Sequence, residues 1–168
     1  MITRHLRAIG ALPGLVIAGI PAIVLALTDF EVGWGLDGPL RALPVVAGAA
    51  LAGAGLTLMY RTISLFAREG GGTLAPWDPT RKLVVRGPYR YVRNPMIVGV
   101  LCVVVGEAVA FGSPALALWA ALFFTMNAVW FPLVEEPGLV RRFGEQYDDY
   151  RRHVPRWLPR STPWTPGS

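Results

Sequence analysis

Four long apolar stretches, joined by short polar connections, restrict this chain more than any other feature. They cover about residues 9–27, 43–65, 95–111 and 115–134. An α-helix rises ~1.5 Å per residue, so about 20 apolar residues cross a ~30 Å hydrocarbon layer. The composition points the same way: 53% of residues are hydrophobic, 16% are charged and the mean hydropathy is +0.43, whereas a soluble domain carries about a quarter charged residues. The expected fold class is all-α, a polytopic membrane helix bundle of about four spans with a cytoplasmic C-terminal amphipathic helix. Its 168 residues suit one integral membrane domain, with residues 1–67 as an N-terminal helical pair.

The charge distribution orients the bundle. Net charge is +5 with a pI near 10.0, yet fifteen of the sixteen Lys and Arg fall in three segments: Arg4 and Arg7, Arg61 through Arg93, and Arg141 through Arg160. The connection after the first apolar run instead carries Asp29, Glu31 and Asp37. Basic connections stay on the cytoplasmic side, so both termini and the central loop are expected inside. The basic balance is therefore assigned to topology and to contact with membrane lipids, not to nucleic acid. Cys102 is the lone cysteine, which rules out an intramolecular disulfide and a cysteine-built metal site. The first run is longer than a secretory signal core and is read as a retained span.

Along the chain, Pro13 and Pro21 predict a kinked first helix. Gly10 with Gly14, and later Gly48, Gly53 and Gly55, predict close helix packing. Trp34 is expected at the interface. The Gly70-Gly71-Gly72 run lacks the strand and the Gly-Lys-Ser/Thr of a phosphate loop, so it is read as a linker. Pro76 and Pro79 then bar a continuous helix before the third span. Gly112-Ser113-Pro114 turns the third apolar run into the fourth, making an antiparallel hairpin. Its open end should bring residues 90–99 beside residues 132–136. From Leu139 to Val154 apolar residues recur at three and four residue intervals, predicting an amphipathic helix. The tail beyond it, rich in Pro, Ser and Thr, is expected to be loosely ordered.

The chemistry-bearing residues gather at that open end. Glu135 and Glu136 directly follow an apolar run; two adjacent, half-buried carboxylates repel unless a cation compensates them. Either both simply face water at the helix end, or a cation compensates them: an ammonium or sulfonium ligand, or an internal arginine. No His or third carboxylate stands at ligand spacing, so no metal is expected. Opposite them lie Arg90, Arg93, Tyr89, Tyr91 and Asn94. Carboxylates facing guanidiniums form a bipolar pocket suited to a zwitterion. Gly99, one turn further on, lets a ring or ribose approach the backbone. Glu107, costly inside an apolar run, is assigned to a packing or hydrogen-bond role, and His5 and His153 to the surface.

The series G-P-Y-R-Y-V-R-N-P-M-I-V-G from Gly87, then E-E-x-x-L, then F-G-x-x-Y-x-x-Y-x-x-x-V-P-R, resembles the isoprenylcysteine carboxyl methyltransferase and phospholipid methyltransferase family. The likeness covers about residues 73–159. It implies an integral membrane methyltransferase without a Rossmann fold, using S-adenosylmethionine and taking a lipophilic or amphiphilic acceptor from the bilayer. Residues 73–159 would then be the catalytic, cofactor-binding part. On this resemblance Tyr91, Arg93, Asn94, Pro95 and Gly99 line the cofactor pocket. Glu135 and Glu136 hold its ammonium or ribose, and Tyr147, Tyr150 and Arg156 close the site. Arg90 or Arg156 would orient an anionic acceptor, and Glu135 or Glu136 would accept a proton from an amine. Two positions depart from the family pattern: Asn94 stands where His is common, and Ile97 where Tyr is common.

The alternatives are a methyltransferase for a small thiol and a non-catalytic membrane scaffold of the same shape. Lys82 is the one lysine in a chain rich in Ala, Gly and Arg, a usage expected of a GC-rich bacterium and hence of its inner membrane.

Overall fold

The computed structural model describes residues 12–69 and 83–165. The Gly70–Gly72 linker, Pro76 and Pro79, and Arg4, His5, Arg7 and Gly10 lie outside the described residues. Among the described residues all regular structure is helical and no strand occurs. The helices are α1 (Leu12–Leu27), α2 (Ala42–Glu69), α3 (Pro95–Phe111), α4 (Pro114–Trp130), α5 (Glu136–Phe143) and α6 (Glu145–His153).

Two π-helical turns recur in one sequence setting. Leu15–Gly19 lies within α1, closed by the Ile20 N–H on the Leu15 carbonyl just before Pro21. Phe131–Glu135 joins α4 to α5, closed by the Glu136 N–H on the Phe131 carbonyl just before Pro137. A proline has no N–H for the regular ladder, and in both places the preceding turn widens. The kink expected at Pro21 thus takes the form of a local π turn.

Two helices, Gly38–Leu65 and Pro114–Phe143, are long and apolar enough to cross a membrane; α1 and α3 are shorter apolar helices. Only 17% of the most apolar window of each long helix is buried. A soluble fold would hide such surface, and a hydrocarbon solvent leaves it exposed.

Packing divides the chain into two compact units, one of Met1–Thr57 with Gly99–Thr125 and one of Leu58–Val98 with Met126–Ser168. In the first, α2 and α3 touch through glycine backbones. A Cβ on Gly48 would strike the Gly106 carbonyl and lie 2.7 Å from the Ala110 nitrogen. A Cβ on Gly106 would lie 2.5 Å from the Gly48 carbonyl, and one on Gly55 2.5 Å from that of Gly99. Gly53, expected on the same face, is open instead, with no atom within 4 Å of its Cβ position. It stands five residues from Gly48, which turns it away from the contact.

Gly48→Ala is therefore expected to cost about 3 kcal/mol, because backbone, unlike a side chain, cannot swing aside. Gly53→Ala should gain about 0.5 kcal/mol through a less flexible unfolded chain. Thermal unfolding in detergent checks both, and equal stability of the two variants would contradict the tight crossing.

The connection before α2 caps the end of α3. Gly33 N–H donates to the Ala110 carbonyl at 3.2 Å, and the Trp34 indole N–H to that of Val109 at 2.9 Å. These carbonyls have no partner within their own helix. Gly112, at φ +58°, follows the helix end in the left-handed conformation glycine favours. A Cβ there would strike the Glu31 carbonyl.

Candidate functional site

All the charged groups of the candidate site lie in the second unit. Pro88 opens a 3-10 turn over Gly87–Arg90, and the Tyr91 and Val92 N–H groups both bond the Pro88 carbonyl. Pro95 then starts α3, which keeps Asn94 out of the helical region. The Asn94 carbonyl accepts the Val98 N–H at 3.0 Å. With Val92 and Pro95 buried on either side, Arg93 projects from a rigid corner.

The double glutamate is split by helical geometry. Successive helical residues point about 100° apart, so adjacent carboxylates cannot share one face. After the π turn Glu136 is buried, whereas Glu135 is exposed. Two guanidiniums hold Glu136. Arg93 Nη1 donates to its Oε1 at 2.8 Å. Arg156 binds it through a fork, Nε to Oε1 at 2.7 Å and Nη2 to Oε2 at 2.9 Å. Side-chain exposures of 12% for Arg93, 9% for Glu136 and 26% for Arg156 keep the cluster largely from water. Such charge-assisted, forked pairs are strong and directional. The Glu136 hydrogen bond pushes the Arg156 pKa up, so this guanidinium stays charged.

Tyrosines line the cluster. Tyr147 lies beside Arg93, and the Tyr150 hydroxyl donates to the Tyr89 carbonyl at 2.7 Å. Burial pushes all three phenols up, so they remain neutral hydroxyls. The tail is tied to the same corner by the Arg93 N–H on the Pro155 carbonyl at 2.9 Å, and Phe131 meets Trp157 edge to face at 5.8 Å.

Two donors are left over. Arg93 Nε and Asn94 Nδ2 are buried without a hydrogen-bond partner. Two guanidiniums face one carboxylate, so the cluster keeps an excess positive charge. A buried, unspent donor is costly unless something accepts from it. The corner therefore suits an anionic group, and a carboxylate matches the donor set.

The structure brings Arg93, Glu136, Tyr147 and Arg156 to one place, with Asn94 the neighbour of Arg93 in the chain, and treats the other candidates differently. Glu136 is compensated by internal arginines, the second of the two cations its sequence context allowed, with two donors on Oε1 and one on Oε2. Arg90 turns away, with Nε on the Trp164 carbonyl at 2.8 Å and Nη2 on Thr165 Oγ1. Tyr91 is 37% exposed, while its carbonyl accepts from Arg160 N–H at 3.0 Å. Gly99 belongs to the first unit, where its carbonyl faces Gly55.

Past α5 the expected continuous helix is broken at Gly144, with φ +53° and ψ −132°. Its N–H closes α5 on the Val140 carbonyl at 2.8 Å, and α6 starts afresh. The expectation of a loose tail is corrected too. Trp164 is buried and joins Tyr147, Tyr150 and Val154 in a core packed by Leu83, Val85, Leu139, Val140 and Phe143. The one available signal for it was a lone Trp amid Pro, Ser and Thr. Among the described residues no group of three His, Cys, Asp or Glu is arranged to hold a metal.

Methanethiol S-methyltransferase 2 of Bradyrhizobium diazoefficiens is 36% identical over 76 residues, covering 43% of this chain and 27% of that protein. Protein-S-isoprenylcysteine O-methyltransferase of Schizosaccharomyces pombe is 35% identical over 83 residues, covering 46% of this chain and 33% of that protein. The matched part thus spans a third or less of the length of either relative. No solved structure matches the chain. Residues 43–146, more than half of the 168, match the phospholipid methyltransferase description and take in α2 through α5, with Arg93, Asn94 and both glutamates. The chain belongs to the phospholipid methyltransferase family.

Proposed function

We propose that this chain is an integral membrane methyltransferase that uses S-adenosylmethionine and methylates a lipophilic or amphiphilic acceptor at the cytoplasmic face. In this reading α1 to α4 are four spans of one membrane domain in a bacterial inner membrane. Both termini lie inside, and the C-terminal helices lie along the inner surface. Support comes from the family and from basic residues concentrated outside the apolar helices. The observation that carries the reading is the buried Arg93–Glu136–Arg156 cluster with its unspent donors on Arg93 and Asn94.

Those donors fit the α-carboxylate of an S-adenosylmethionine molecule. When bound, that cofactor supplies an electrophilic methyl group on a sulfonium. Arg93 and Asn94 would hold the carboxylate, Tyr147 would keep Arg93 oriented, and Glu135 would accept from the ammonium or a ribose hydroxyl. Glu136 fixes the two guanidiniums in place. Methyl displacement asks mainly for alignment of the two reactants, which a rigid corner provides. A carboxylate or thiolate acceptor needs no base. An amine must first lose a proton before it can attack.

A second reading, methylation of a small thiol, is favoured by the likeness to the Bradyrhizobium protein. The purified chain in detergent should bind S-adenosylhomocysteine. With labelled methyl donor it should then label a lipid extract of native membranes in preference to added methanethiol. Label in the thiol alone would favour the second reading, and absence of binding would overturn both in favour of a non-catalytic scaffold.

A further inference from the structure

We infer that Trp164 is a positioning residue for the binding site: its ring anchors residues 155–165 on α6, where hydrogen bonds hold them against the 89–93 turn, and so keeps Arg156 on Glu136. This rests on the methyltransferase reading above. Trp164 lies beyond residue 146, where the family match ends, so the family match says nothing about it.

Residues 155–165 contain Pro155, Pro159 and Pro163 and form no helix, so their backbone groups depend on partners elsewhere. The 89–93 turn supplies them. Arg93 N–H bonds the Pro155 carbonyl, Arg160 N–H the Tyr91 carbonyl at 3.0 Å and Trp164 N–H the Arg90 carbonyl at 3.0 Å. The Arg90 side chain grips the far end through the Trp164 carbonyl and Thr165. The Arg160 side chain ties the middle to the His153 carbonyl at 3.0 Å. Most of this segment is exposed, and exposed hydrogen bonds exchange readily with water.

The large apolar contribution sits at its end. Trp164 is only 6% exposed. It stacks flat on His153, with centroids 5.4 Å apart and planes 9° apart, and packs on Tyr150 at 5.8 Å. Arg156 is the second residue of the strap, next to the bond between Arg93 and Pro155. At 26% side-chain exposure it has water within reach. Once the ring no longer anchors the strap, Arg156 exchanges Glu136 for solvent. Arg93 then becomes the sole partner of Glu136, and the excess positive charge that receives a carboxylate falls.

The test measures S-adenosylhomocysteine affinity of the full-length chain in detergent. Trp164→Ala should weaken binding about tenfold, and Trp164→Phe, which keeps a stacking ring, should restore most of it. Because Trp164 acts through Arg156, the Trp164→Ala/Arg156→Gln double variant should bind no more weakly than Arg156→Gln alone. Additive losses in that cycle would make the ring mere packing and overturn the inference. Unchanged affinity in Trp164→Ala would overturn it while leaving the methyltransferase reading intact. A wild-type chain that binds no S-adenosylhomocysteine would remove the reading and the inference together. Should Trp164→Ala fail to fold, Arg90→Gln serves in its place, since it releases the far end of the strap and spares the ring. It should weaken binding in the same non-additive way with Arg156→Gln, and an additive result there too would count against the inference.

Discussion

Glu136→Gln should lower the stability of this protein by about 3 kcal/mol and abolish measurable binding of S-adenosylhomocysteine, while Glu135→Gln leaves stability within about 0.5 kcal/mol. The two residues are neighbours of one chemistry, and only their placement separates them. Glu136 compensates two guanidiniums at 2.7 and 2.8 Å in a largely water-free setting. Neutralising it leaves those charges facing each other without a counterion, the costly way of breaking a buried pair. The lower end of the usual range applies, because Arg156 can turn partly into water. Glu135 is exposed, so its loss should appear as about tenfold weaker ligand binding with little change in unfolding.

A triple variant separates the two effects. Arg93→Met, Glu136→Leu and Arg156→Met together remove every charge of the cluster and should recover most of the lost stability without any ligand binding. Thermal unfolding and ligand titration in the same detergent read both quantities. A Glu136→Gln chain as stable as wild type would show that the cluster contributes nothing to the fold.

Arg93→Lys should weaken S-adenosylhomocysteine binding by about a hundredfold, roughly 3 kcal/mol, although charge is conserved. Arg93 does two things at once: Nη1 holds Glu136 at 2.8 Å, and buried Nε remains free to donate. A planar guanidinium spreads its donors over a fork, whereas an ammonium concentrates them at one point and cannot serve two separated acceptors. Lysine would choose Glu136, and the Nε direction would go unanswered. Calorimetric titration of both chains checks this, and wild-type affinity in the lysine chain would remove Nε from the site.

The apolar runs, the turn at Gly112 and the meeting of the Arg93 corner with the double glutamate were legible because each follows from chain order. Hydrophobic length sets where helices run, and a short turn forces two of them antiparallel. Contacts set by angle about a helix axis were less legible. Gly48 and Gly55 meet α3 and Gly53 does not, and Glu136 turns inward while Glu135 turns out. The π turn at Phe131–Glu135 adds to this, since one wider turn shifts every later residue about the axis. The tail was misread for another reason. Its Pro, Ser and Thr describe a segment that cannot order itself, and say nothing of a neighbour that can order it.

Taken alone, the sequence determined that this chain is helical, that two of its apolar runs are long enough to cross a membrane and that the Arg93 corner meets Glu136; its motifs also pointed to the family. These are properties of periodicity, composition and local order, which need no knowledge of distant contacts. The tertiary structure decided which carboxylate is spent on Arg93 and Arg156, which donors stay unspent, and that Arg90 grips the tail. Ion pairs and buried donors depend on where side chains from distant segments end up relative to one another and to water, and only the folded chain sets those distances.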